Sequence, residues 1–147
     1  MEYQKSAGLI VYYLKENKPY FLLLKYPSYW GFTKGLLEKD EDEKKAALRE
    51  AEEETGLKDF EIIPGFEEKQ TFFFRFKGKT IKKEATFFLA KTSEKEAENT
   101  KISWEHGDFI WLPLEEAIAK TRVKPNKEML KKANEFILAF DKQKRLV

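Results

Sequence analysis

The chain has 147 residues, 41 % of them hydrophobic, and its 37 % charged residues balance to a net charge of only +2. That length gives one domain, residues 1–147, with a sizeable core. The balance argues against a general nucleic-acid binder, and the lack of cysteine excludes disulfides and thiolate chemistry. No signal-type segment and no apolar run of membrane-spanning length is present, so a cytoplasmic protein without a membrane partner is expected.

Ser6–Leu14, rich in Ile, Val and Tyr, reads as a strand. Lys15–Pro19 is a polar turn, and Tyr20–Lys25, nearly all apolar, is a second, central strand. Tyr26–Lys34 is a loop dense in aromatic residues. Ala46–Ala51 are good helix formers, uninterrupted by proline or β-branched residues, and Gly56 sits where a left-handed C-cap is wanted. On that helix Leu48, Ala51 and Thr55 share a face suited to the core. Phe60–Gly65 and Glu68–Phe76 are predicted strands, Gly78 a hairpin turn, and Thr80–Lys91 the returning strand. Thr92–Thr100, polar and acidic, reads as a surface loop. Phe109–Leu112 is a short strand and Leu114–Thr121 a helix. After a break at Val123–Pro125 a last helix follows, with Asn126 as its cap. Its core side is Met129, Leu130, Ala133, Phe136, Ile137 and Phe140, and Lys142–Val147 is a frayed tail. The fold class expected is α/β in the α+β sense, a mixed β-sheet sandwiched between helices.

The acidic face of the first helix carries the chemistry. Glu50, Glu53 and Glu54 stand three and four residues apart, where like charges repel by roughly 0.2–0.5 kcal/mol per pair. They occupy the last turns, where the helix dipole is itself negative. A divalent cation would turn this repulsion into coordination, and clustered carboxylate oxygens suit Mg²⁺ or Mn²⁺. Ala46 and Ala47 beside them would leave room for a hydrated ion.

Gly35, Glu41 after five intervening residues, Arg49 after seven more, then Glu50, Glu53, Glu54 and Gly56, with apolar Ala51 and Leu57, fill every fixed position of the Nudix box. The chain resembles a Nudix hydrolase, which implies the Nudix fold. Beyond the box, Ser6–Ile10, Phe21–Leu24, the aromatic loop to Trp30, Ser103-Trp104-Glu105-His106, Trp111-Leu112 and Glu115–Ala117 are similar to the asymmetrical bis(5′-nucleosyl)-tetraphosphatases. That resemblance implies Mg²⁺-dependent cleavage of a pyrophosphate bond in a dinucleoside polyphosphate, diadenosine tetraphosphate giving ATP and AMP. It makes Glu50, Glu53, Glu54 and the Gly35 carbonyl metal ligands, with Arg49 orienting the carboxylates and Glu41 in support. Glu105 is a further acid for metal or base duty; the general base is Glu50 or Glu105, with Glu50 preferred. Lys34 and Lys83 are phosphate-binding candidates. Tyr26, Tyr29, Trp30 and Phe87 are stacking candidates, although Phe87 also suits the core. His106, the only histidine, is a candidate phosphate contact.

The chain departs from that family at Thr33 and at Lys39-Asp40, where proline and Pro-Gly are common. Alternative readings are a Nudix enzyme acting on RNA 5′ ends or nucleoside triphosphates, and a catalytically silent nucleotide-binding module. Silent modules lose box glutamates, which this chain keeps. Its assembly is expected to be a monomer or a small homo-oligomer.

Overall fold

The computed structural model describes residues 1–102 and 107–145. Strand β1 (Glu2–Lys15) turns through Glu16 and Asn17, both at positive φ, into β2 (Lys18–Lys25). Short strands β3 (Trp30–Gly31) and β4 (Thr33–Leu36) lead into helix α1 (Glu43–Thr55). A long hairpin follows, β5 (Glu61–Phe76) and β6 (Lys79–Lys91), turning on Lys77 and Gly78. Helix α2 (Glu94–Ala97), β7 (Phe109–Pro113), α3 (Leu114–Thr121) and α4 (Lys124–Arg145) complete the described chain.

The strands form one mixed sheet in the order β3-β2-β1-β6-β5, with β4 paired to β1 and β7 to β2. Only β1 and β6 run parallel; the other pairings are antiparallel. Side chains alternate across a strand, so β1 feeds two cores. Ala7, Leu9 and Val11 pack with Ala46, Ala47 and Ala51 of α1. Ile10 and Tyr12 pack on the opposite side with Leu130, Ala133 and Ile137 of α4. Burying a leucine such as Leu130 fully is worth about 1.5–3 kcal/mol. The sheet is thus held between α1 and the α3–α4 pair, the sandwich expected.

Several local features differ from expectation, and the aromatic loop Tyr26–Lys34 itself contains β3 and the start of β4. Ala46 and Ala47 are fully buried; their small size brings α1 against the sheet and makes no space for an ion. The predicted pair of strands around Gly65 is one strand, β5, whose register shifts between Ile62 and Glu67, with Gly65 at φ 94°. The polar stretch after β6 contains α2, because the Ser93 hydroxyl caps the N–H of Glu96 at 3.0 Å. Helix α4 starts at Lys124 and continues through Arg145, so Asn126 lies inside its first turn and is no cap, and residues 142–145 are helical. Among the described residues no helix is long and apolar enough to cross a membrane.

Candidate active site

Helix α1 is fixed at both ends. The Asp42 carboxylate accepts from the Lys45 N–H at 2.8 Å, placing negative charge where the dipole is positive. Gly56, at φ 73°, closes the other end by donating to Glu52 O at 2.9 Å. The Thr55 hydroxyl bonds Ala51 O and accepts from the Leu57 N–H. With the alanines seated on the sheet, Glu50 and Glu54 are directed toward β4.

Strand β4 runs directly against this acidic face. The Lys34 N–H donates to Glu54 Oε1 at 3.2 Å, and Glu54 is only 3 % exposed. A Cβ on Gly35 would lie 2.0 Å from the carboxyl carbon of Glu50. Only glycine lets the strand pass there, and the Gly35 backbone lies against that carboxylate.

Arg49 organises the remaining acids. Its Nε and Nη2 donate to the two Glu41 oxygens at 2.8 and 2.9 Å. Nη1 reaches Glu50 at 2.8 Å and Glu53 at 3.3 Å, and Nη2 also reaches Leu36 O at 3.1 Å. These bonds, together with the Glu38 N–H, hold the Glu41 carboxyl down at about 2. The Glu41 fork is thus the main anchor of Arg49, and the i+4 contact to Glu53 is the longer one.

Among the described residues no three acidic side chains already converge as a cation cage; Glu50 and Glu53 are drawn onto Arg49. The donor set still fits a hard cation. Two carboxylates flank the Lys34-Gly35 backbone, their donors are all oxygen, and the missing side chain at Gly35 leaves the Glu50 carboxylate directly against the main chain.

Lys34 emerges on the other side of the strand, into a cavity of about 460 Å³. Its Nζ donates to the Tyr29 hydroxyl at 2.9 Å and lies 6.0 Å from the ring centre of Phe72. Lys83 Nζ approaches the same ring at 5.7 Å. Burial lowers the pKa of Lys34 against the opposing pull of Glu54. Burial and then the charge of Lys34 lower that of Lys83. Burial, followed by Glu54, raises that of the Tyr29 phenol. Two partly desolvated ammonium groups facing one cavity are poised to receive anionic charge.

The aromatic candidates divide. Phe87 is 2 % exposed and meets Phe32 edge-to-face at 5.6 Å; it is core beneath the cavity. Phe72, 37 % exposed, is the ring available for stacking, and the sequence reading missed it. The signal was there: counting outward from the Gly78 turn pairs Phe72 with Lys83. Trp30 lines a neighbouring cavity of about 560 Å³ with Lys120 and Arg122, and Lys120 Nζ stands 4.7 Å from its ring centre. Tyr29 lines both cavities and stacks on Tyr26 at 4.8 Å. Glu105 and His106 lie outside the described residues.

Residues 2–133 match the family profile described as the NUDIX domain. The chain belongs to the Nudix family. Its Nudix relatives include the bis(5′-nucleosyl)-tetraphosphatase (asymmetrical) of Caenorhabditis elegans, 32 % identical over 92 % of this chain and 98 % of the relative. The enzyme of the same name from Mus musculus is 33 % identical over 90 % of this chain and 95 % of that one. The crystal structure of a C. elegans Ap4A hydrolase binary complex superposes with a TM-score of 0.79, covering 92 % of this chain and 98 % of that one at 32 % identity. The Nudix helix is therefore α1, and the departure at Lys39-Asp40 has a structural answer. Asp40 adopts φ 63°, the left-handed turn that a Pro-Gly loop would take with glycine and that aspartate tolerates better than most residues.

Proposed function

We propose that this Nudix hydrolase cleaves a pyrophosphate bond of a dinucleoside polyphosphate, converting diadenosine tetraphosphate and water to ATP and AMP. The observation that carries the reading is the division of labour across β4. Acids Glu50 and Glu54 lie against its backbone on one side, and the cations Lys34 and Lys83 line a cavity with Phe72 on the other. The two relatives of like length, both named for this activity, support the same reading.

Glu50, Glu53, Glu54 and the Gly35 carbonyl would hold Mg²⁺ or Mn²⁺, with Glu105 completing the set. A divalent cation there supplies charge neutralisation at the phosphate oxygens and acidifies water at neutral pH. Lys34 and Lys83 bind the polyphosphate, Phe72 and Tyr29 present rings to a base, Trp30 extends the contact surface, and His106 is the further phosphate contact expected from the sequence. Glu50 takes the proton of the attacking water as the new P–O bond forms. The P–O–P bridge breaks with its oxygen retained on the departing phosphate. Arg49 positions Glu50 and Glu53 without touching substrate. The substrate is a freely diffusing nucleotide, consistent with a cytoplasmic enzyme.

Product analysis with diadenosine tetraphosphate, with Mg²⁺ and with a chelator, tests this. Equal ATP and AMP, formed only with the metal, is the expected result. ADP as sole product, or no turnover, would overturn it.

A further inference from the structure

The wall of the Lys34–Lys83 cavity away from the ammonium groups carries two amides, Gln70 and Asn126. Their orientation can be worked out from one fixed point. The Trp30 carbonyl can only accept, so the Thr121 hydroxyl bonded to it must donate. The hydroxyl oxygen then accepts, and the Asn126 group facing it at 3.1 Å must be the NH₂. Asn126 Oδ1 is thereby turned to Gln70, whose own NH₂ donates to it at 3.1 Å. The relay leaves Gln70 with Oε1 as an acceptor and a second N–H as a donor, both on a half-buried side chain lining the cavity. Asn126 itself is 5 % exposed, so the relay is packed in place.

Gln70 lies two residues before Phe72 on the same face of β5, and opposite it on β6 is the small Ala85. A flat ring laid on Phe72 with its anionic substituents turned to Lys34 and Lys83 would present an edge to the Gln70 amide, which lines the same cavity. An acceptor beside a donor matches the amino group and N7 of adenine, the pair that glutamine reads bidentately. Guanine offers two acceptors along that edge and sets O6 against Oε1.

Building on the function proposed above, we propose that Gln70 reads the edge of a 6-aminopurine base held against Phe72, with Asn126, Thr121 and the Trp30 carbonyl fixing which way its amide faces. Gln70 is the specificity-determining residue, and Asn126 is a positioning residue acting through it.

The test compares diadenosine and diguanosine tetraphosphates as substrates and, separately, equilibrium binding of ATP and GTP. The wild-type protein should favour adenine in both, by roughly tenfold to a hundredfold. Gln70→Leu should reduce the preference to about twofold through KM, with kcat on the adenine compound retained. Asn126→Leu, with Gln70 intact, should reduce it as well, since the released amide can present either group. If that buried substitution prevents folding, Gln70→Leu decides alone. Equal treatment of the two bases by the wild type, or an undiminished preference in Gln70→Leu, would overturn the proposal. Failure to hydrolyse either dinucleotide would refute the proposed activity, and the binding measurements would then still decide the base reading.

Discussion

The two sides of β4 were built differently. The acidic side is local: Gly35, Glu41, Arg49, Glu50, Glu53 and Glu54 come from the end of β4, the loop after it and one helix, all within residues 35–54. The cationic side is assembled from distant pieces, Tyr29 and Lys34 before α1, Gln70 and Phe72 on β5, Lys83 on β6 and Asn126 on α4. On the first, Glu50 and Glu53 are the carboxylates open to isosteric change, whereas Glu54 is buried and bonded to β4 and Glu41 anchors Arg49. The second shares its walls with the core, so substitutions there must be sorted into those that change binding and those that change stability.

The largest expected effect tests the acidic side alone. Glu50→Gln keeps the side chain's size and removes its basicity, so kcat should fall by about 10²- to 10⁴-fold while KM changes little. A parallel rise in KM in steady-state kinetics would mean that the two sides are not separable.

Next come two phenylalanines, each on one side of the core boundary. Phe87→Ala should cost about 3–5 kcal/mol of stability in denaturant unfolding, with kinetic losses following the unfolded fraction. Phe72→Ala should leave the unfolding midpoint nearly unchanged and weaken nucleotide binding by about 1–3 kcal/mol. Reversal of that pattern would move the stacking role back to Phe87.

The lysine pair gives a pH signature. Both folded pKa values are lowered, so each lysine loses its proton before an ordinary lysine at about 10.4 would. KM for the polyanion should therefore climb at a lower alkaline pH than exposed lysines would dictate, and Lys83→Met should remove part of the rise. For stability the sign is the opposite. Over the interval from the lowered values to the ordinary one the unfolded chain holds more protons, so stability from this pair increases with pH.

The smallest effect is at the loop between strand and helix. Asp40→Gly relieves a left-handed conformation and should change stability by no more than about 1 kcal/mol, in the stabilising direction, with kcat/KM unaffected. A loss of activity would show that the aspartate does more than turn the chain.

The local side was readable in sequence for the same reason that it is separable. Helical spacing alone puts Glu50, Glu53 and Glu54 on one face of the helix, though not where each carboxylate turns, and Gly56 announces the cap. Spacing does not say what the alanines do: Ala46 and Ala47 could equally have faced an ion, and only the sheet packed against them decides otherwise. On the assembled side the sequence offers Lys34 and Lys83 with Tyr26, Tyr29, Trp30 and Phe87 as stacking candidates, Phe87 suiting the core as well, and it passes over Phe72. Alternation does not tell which of two rings on one face is roofed over, and α4 and the loop before it settle that. Asn126 looks like a cap at a Pro-flanked helix start. It is drawn inward because Thr121 and Gln70 use its amide, a tertiary contact with no local trace.

The pairing of β1 with β6 bears on how the chain reaches this fold. Residues 2–12 run parallel to residues 81–91, so the central strand is synthesised long before the neighbour that completes it. Until β6 is available, β1 can pair only with β2 and β4, and an apolar strand edge stays open. Parallel pairing across such a separation carries a large loop-closure entropy and slows folding. The nascent chain is therefore most prone to aggregate in the interval before the β5–β6 hairpin closes onto β1.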